Sequence, residues 1–247
     1  MDFEVIIDSI PRMLSGGWLT LQITALSIGI GLAASIPIAL MRVSRNPFLW
    51  MPVYGYIFYF RGTPLLVQIF LIYYGSGQFR GALESAGLWT FFREPYFCAV
   101  LTLTLNTAAY TAEILRGAIR AVSFGEVEAA RACGMSRGLL YRRIILPKAF
   151  RLALPAYSNE VVFLFQATSL VSIITLLDLT GVARIVVARS FAVYEIYITA
   201  ALMYLVVTYG ILFVFRRVEF RLSGHLRERP GMAGAMAKEI SSAVAVR

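Results

Sequence analysis

From Trp18 to Met41 the chain carries no charged residue over 24 positions. As a helix rising 1.5 Å per residue, that stretch spans about 36 Å, more than the roughly 30 Å hydrocarbon core of a bilayer. A helix this long and apolar all round finds its natural surroundings in lipid. Four more apolar stretches follow, at 49–75, 95–115, 152–177 and 193–215. The expectation is an all-α, polytopic membrane bundle of five transmembrane helices within a domain covering 18–215. Composition agrees: 59% of the 247 residues are hydrophobic, against roughly 45–50% apolar residues in soluble domains.

The formal net charge of +9 could suggest a nucleic-acid partner, but its distribution argues for topology. The first loop holds Arg42 and Arg45 and no acid, loop 116–151 holds eight basic residues, and the tail 216–247 holds seven. The segments between them are mixed: Arg12 stands with Asp2, Glu4 and Asp8, and Arg80 and Arg93 stand with Glu84 and Glu94. Basic residues near span ends mark the cytoplasmic side. The 1–17 segment is therefore expected outside the cell, and the 216–247 tail in the cytoplasm. The cations then face anionic headgroups of the lipid bilayer, and no nucleic acid is expected. Residues 1–14 have no basic region ahead of an apolar core, so no cleavable signal is expected. Cys98 and Cys133 read as small packing residues and give no metal signature. His225 reads as a solvated residue of the tail.

Loop 116–151 has its own helical signals. Gly125 can open a helix after Ser123 and Phe124, and Glu126 and Glu128 suit its first turn, where the helix dipole favours acids. Gly134 can end it. Ser136 can cap a second helix whose Leu139, Leu140, Ile144 and Ile145 form an apolar face, and Pro147 is expected to stop that helix. The residues alone allow a helix resting on the membrane or one that docks a partner.

A pattern of fixed positions speaks to that choice. Glu128, Ala129 and Ala130 are followed after three residues by Gly134, then after nine by Ile144, Leu146 and Pro147. This resembles the cytoplasmic loop of ABC importer permeases. Arg61-Gly62-Thr63-Pro64, Ala109 through Glu113, and Thr168-Ser169-Leu170 are similar to the polar amino-acid permeases. Asn106 through Thr111 and Leu154 through Glu160 most resemble the histidine, lysine/arginine/ornithine and opine systems. The resemblance implies a mechanism. A pair of permease chains, self or more often a sister subunit, forms the pathway, and a periplasmic or tethered binding protein delivers an amino-acid substrate. An ATPase dimer binds ATP and Mg, so this chain needs no cofactor. Gly125, Glu128, Ala129, Ala130, Arg131, Gly134, Ile144, Leu146 and Pro147 would couple to that ATPase. The sequence has no G-x-x-x-x-G-K-[ST] phosphate loop, so the energy must come from a partner.

Ionisable groups inside spans are costly and usually functional. Glu160 lies eight residues into the expected fourth span, about 12 Å deep. It can face the pathway and attract a cation, or pair within the bundle, for instance with Arg61. Asn159 beside it suits a helix–helix hydrogen bond, and Asn106 and Thr107 are similar cases. Many polar amino-acid permeases carry Lys-Asp ahead of Thr168-Ser169, where this chain has Gln166-Ala167. A neutral Gln166 would not repel a cationic substrate, though it can equally fill packing space. Arg61 through Pro64 should kink the second span, because proline removes a backbone donor and glycine loosens the helix. The pathway set is thus Arg61, Thr63, Asn106, Asn159, Glu160, Gln166, Thr168 and Ser169. Glu113 and Arg116, at i,i+3 spacing, read as a structural pair. An ATP-independent facilitator is the competing class. The lack of an internal inverted repeat weighs against it, and a membrane enzyme lacks any usable cluster of catalytic residues.

Overall fold

A computed structural model describes residues 3–222. The last 25 residues of the expected tail, His225 among them, lie outside the described residues. Helix α1 runs Phe3–Arg42, α2 Pro47–Gly62 and α3 Leu65–Ser76. The short helices α4, Arg80–Ser85, and α5, Trp89–Phe92, lead to α6, Pro95–Arg120. Helix α7 is Phe124–Ala132, α8 is Arg137–Leu140 and α9 is Leu146–Ala167. Helices α10, Leu179–Ser190, and α11, Val193–Leu222, complete the described residues. Among the described residues every element is helical. Four helical stretches among the described residues are long and apolar enough to cross a membrane, and the bent pair α2–α3 makes a fifth if counted as one span.

Helix α6 is the central post. Its buried face is built of small side chains: Ala99, Thr102, Thr107, Ala108, Ala109 and Ala112. In lipid, apolar side chains gain little by leaving the solvent, so helix pairs rely on close backbone approach. Gly31 of α1 shows the requirement, since a Cβ there would lie 2.4 Å from Thr107 Cγ2. The Ser27 hydroxyl of α1 donates to the Val100 carbonyl of α6 at 3.4 Å.

Several boundaries differ from the sequence expectation. The first helix begins at Phe3, not Trp18, and at 40 residues is about 60 Å long. Its first half is held by tertiary packing: Met13 is fully buried in a cluster with Leu179, Ala183, Ile196 and Ala200. Gly16 permits that fit, because a Cβ would meet the Asp178 carbonyl at 2.8 Å. Helix α10 falls where the sequence suggests a loop. Asp178 caps it, accepting from Gly181 N at 2.9 Å and Thr180 N at 3.3 Å, and Arg184 Nη2 donates to the Ser172 carbonyl at 3.0 Å. The fifth span continues past 215 to Leu222.

Pro147 does not stop its helix. Helix α8 passes through a π-helical turn, Tyr141–Ile145, directly into α9, which contains Pro147. A proline inside a helix clashes with the carbonyl four residues back. The wider turn avoids the conflict, with Leu146 N donating to Tyr141 O five residues back. The fourth span therefore begins earlier than 152, and its α-helix ends at Ala167. A 3₁₀ stretch, Thr168–Ile174, carries it on to Thr175, whose φ is 72°.

Candidate functional site

The expected kink at Arg61 through Pro64 is a complete break: α2 and α3 meet at 106°. Thr63, ahead of a proline, adopts φ −116° and ψ 147°, the extended region that proline imposes on its predecessor. The break exposes carbonyls inside a lipid-embedded bundle, and each needs a donor. Gln68, only 1% exposed, supplies them. Its Nε2 donates to Phe60 O at 2.9 Å, Thr63 O at 3.1 Å and Thr63 Oγ1 at 2.9 Å. Its Oε1 accepts from Asn106 Nδ2 at 2.9 Å, and the same Asn106 nitrogen lies 3.3 Å from Phe60 O. Gln68 was missed in the sequence. Its signal was an amide four residues after Pro64 in an otherwise apolar run.

Beside this staple lies a cavity of about 370 Å³, lined by Thr63, Asn106, Tyr110, Glu160, Phe163 and Ala167 among others. The carboxylate of Glu160 accepts a hydrogen bond from Thr107 Oγ1 at 3.0 Å. Glu160 stands 14 residues along α9, about 21 Å from Leu146. Thr63, Asn106 and Glu160 thus converge on one cavity. Gln166 and Asn159 are exposed elsewhere on α9, and Ala167 takes the place at the wall. Thr168 is buried, its hydroxyl donating to Phe165 O at 2.6 Å, and Ser169 is half-buried in the 3₁₀ stretch.

Arg61 goes to a different carboxylate. Its Nη1 lies 3.9 Å from Glu113 Oε2, and its guanidinium stacks over Tyr110 with the ring centre 5.1 Å away. Arg116 pairs with Glu113 at 2.7 Å, as the spacing suggested, and Arg42 Nε approaches the other carboxylate oxygen at 3.4 Å. Tyr110 lines the Glu160 cavity and carries the Arg61 guanidinium over its ring, within electrostatic reach of Glu160.

At the other end of the chain's working parts, α7 is fastened by a small apolar cluster of Val122, Ala130, Leu140 and Ile145. Gly134, at φ 76°, ends it in a left-handed conformation that favours glycine. Met135 N donates to Ala130 O at 3.1 Å and Gly134 N to Arg131 O at 2.9 Å, a Schellman cap. Ser136 Oγ accepts from Leu139 N at 3.4 Å, as expected of a cap. Glu126 forms an ion pair with Lys148 of α9, which joins α7 to the fourth span. The coupling set divides between two faces. Gly125, Glu128, Ala129 and Arg131 are exposed, whereas Ala130 is buried and Ile144 and Leu146 are half-buried; Pro147 is exposed on α9. Phe124, 83% exposed, stands with the outward group. Sequence reasoning passed over it because an aromatic residue in a membrane protein is an ordinary sight.

The comparisons with known proteins agree with this geometry. Residues 25–224 match the family described as binding-protein-dependent transport system inner membrane component. The nopaline transport system permease protein NocM of Agrobacterium fabrum is 48% identical over 239 residues, covering 97% of this chain and 99% of the relative. The octopine transport system permease protein OccM of Rhizobium meliloti is 49% identical, covering 85% of each. The histidine/lysine/arginine/ornithine transport system permease protein HisM of Escherichia coli K12 is 42% identical, covering 86% and 90%. A solved structure described as an amino acid ABC transporter with histidines superposes with a TM-score of 0.79 at 35% identity, covering 90% of this chain and 99% of the other. The MetNI methionine ABC transporter superposes at 0.69 and 21% identity, a likeness of fold. The chain belongs to the binding-protein-dependent transport permeases. It is the membrane-spanning permease subunit of an ABC transporter and not an enzyme, since ATP hydrolysis belongs to a separate ATPase.

Proposed function

We propose that this subunit imports a basic amino acid such as histidine, lysine, arginine or ornithine, or an opine such as octopine or nopaline. The observation that carries this reading is Glu160, a carboxylate facing a cavity of about 370 Å³ next to Thr63, Asn106 and Tyr110. A carboxylate in low dielectric attracts a cationic group strongly. The neutral pair Gln166-Ala167 adds no repulsion, and the names of the opine and HisM relatives support the same class. Thr168 and Ser169, just beyond α9, and Arg61, behind Tyr110, border the path.

The rest of the machine follows from the family. The outward face of α7, with Gly125, Glu128, Ala129 and Arg131, docks on an ATPase dimer that binds ATP and Mg. The buried Ala130 and half-buried Ile144, with Gly134, Leu146 and Pro147, pass the motion to α9. A sister permease completes the pathway, and a periplasmic or tethered binding protein delivers substrate. Residues 1–17 face outward, 18–215 form the permease domain, and 216–247 enter the cytoplasm.

The test is uptake of radiolabelled arginine, histidine, octopine and nopaline. Vesicles would hold this chain with its ATPase, sister permease and binding protein, with and without ATP. ATP-dependent uptake of one of them is expected, and Glu160→Gln should lower it about tenfold while sparing a neutral amino acid. An unchanged substrate profile in that variant would assign Glu160 to structure. Uptake without ATP would make the chain a facilitator.

A further inference from the structure

We propose that the cavity between Arg42 and Arg61 is a binding site for the phosphate of an anionic phospholipid, whose acyl chain lies along the outer face of α2. The site is separate from the Glu160 cavity, and the proposal goes beyond the transport reading.

Charge is the first argument. Arg42, Arg61 and Arg116 all gather on Glu113, and Arg61 also lies within electrostatic reach of Glu160, so three cations face two carboxylates. Arg116 is properly paired, with Nε donating to Glu113 Oε2 at 2.8 Å. The other two are not. Arg61 stays 3.9 Å away. Arg42 Nε and Glu113 Oε1, though 3.4 Å apart, are both buried without a hydrogen-bond partner. Two guanidiniums therefore keep donors for an acceptor that the chain itself does not supply. A phosphate suits them, because it accepts the planar fork of arginine in pairs of hydrogen bonds.

The second argument is the shape and lining of the space. Arg42, Arg61 and Glu113 border a cavity of about 320 Å³ whose remaining wall includes Tyr54, Ile57 and Phe58. Phe58 is 68% exposed and Tyr54 45% exposed, so the cavity opens beside an apolar helix face. A free anion has no use for such a wall, whereas a lipid chain does. Position is the third argument. Arg42 is the last residue of α1, and its guanidinium lies 4.8 Å from the ring centre of Tyr54 and 5.8 Å from that of Trp50. Aromatic residues of this kind mark the membrane–water boundary, and basic pockets there take anionic headgroups. Glu113 holds the arginines in place, and the three guanidiniums gathered on it outweigh its repulsion of a phosphate.

Native mass spectrometry of the complete transporter tests this. The complex would be equilibrated with vesicles of equal phosphatidylglycerol and phosphatidylcholine, then extracted in mild detergent. Wild type should retain phosphatidylglycerol over phosphatidylcholine by about fivefold or more, on the order of the effect of one basic residue at a membrane surface. Arg42→Gln should bring retention near parity. Arg217→Gln, on the exposed end of α11, should leave the preference intact. Equal retention of both lipids by wild type, or an unchanged preference in Arg42→Gln, overturns the proposal. Should Arg42→Gln fail to assemble, Arg42→Lys keeps the charge without the fork and should show an intermediate preference; a full preference there counts against the site. Inorganic phosphate supplies the last arm. If it stabilises the complex against heat as well as short-chain phosphatidylglycerol does, the site takes free anions and the lipid reading is wrong.

Discussion

The helix break at Arg61 through Pro64 and the α7 segment each interrupt regular helix, and they do so by opposite means. At the break, the freed carbonyls of Phe60 and Thr63 are answered by side chains, Gln68 and Asn106, because the bend takes away their helical donors. At α7 the backbone answers itself, through the Schellman cap at Gly134 and the Ser136 cap, and its outer face remains in solvent. The first region is a closed polar network within the bundle, and the second is a thin apolar fastening under an open surface. Polar side-chain bonds are thus concentrated at the helix break, and exposed side chains on α7.

The largest expected effect comes from opening the closed network. Gln68→Leu takes the donor from the Thr63 carbonyl and leaves Phe60 O and the Asn106 amide with one partner fewer, a loss of about 2 kcal/mol at typical costs per unsatisfied group. Thermal unfolding of the purified complex should show it. A variant as stable as wild type would mean that water fills the break.

A change on the open surface should act on function and leave the fold alone. Glu128→Lys reverses a charge on the exposed face of α7. Surface substitutions usually cost under about 0.5 kcal/mol in stability, so the spans should insert normally. ATP-driven uptake should nevertheless fall about tenfold, the worth of roughly 1.4 kcal/mol in a docking contact. Normal uptake per ATP hydrolysed would remove Glu128 from the docking face. The smallest effect is expected at Gln166, which is exposed on α9 and apart from the cavity. Gln166→Lys should reduce uptake of cationic substrates by about twofold more than neutral ones, the size of a screened charge at a distance. Equal loss for both would make Gln166 a packing residue.

Much of this was legible in the residues. The break at Pro64, the caps at Gly134 and Ser136 and the Glu113–Arg116 pair all depend on local backbone rules or short spacing. Other features were hidden. Helix α10 is short and carries Arg184 and Arg189, so its pattern suggests a loop until the Ser172 carbonyl is found beneath Arg184. The π-helical turn ahead of Pro147 reverses the simplest rule for proline, and no residue in it announces the wider turn.

The sequence by itself determined the membrane class, the helical architecture and the caps that bound α7, because length, hydropathy and capping act over a few turns of chain. Tertiary structure alone decided that Arg61 turns to Glu113 while Glu160 turns to Thr107. It also decided that Gln68 closes the break and that Met13 holds the start of α1. These choices rest on which helices approach one another closely enough for a polar atom to find its partner. In this bundle that approach is set by glycines and small side chains on α1 and α6, far along the chain from the groups they bring together.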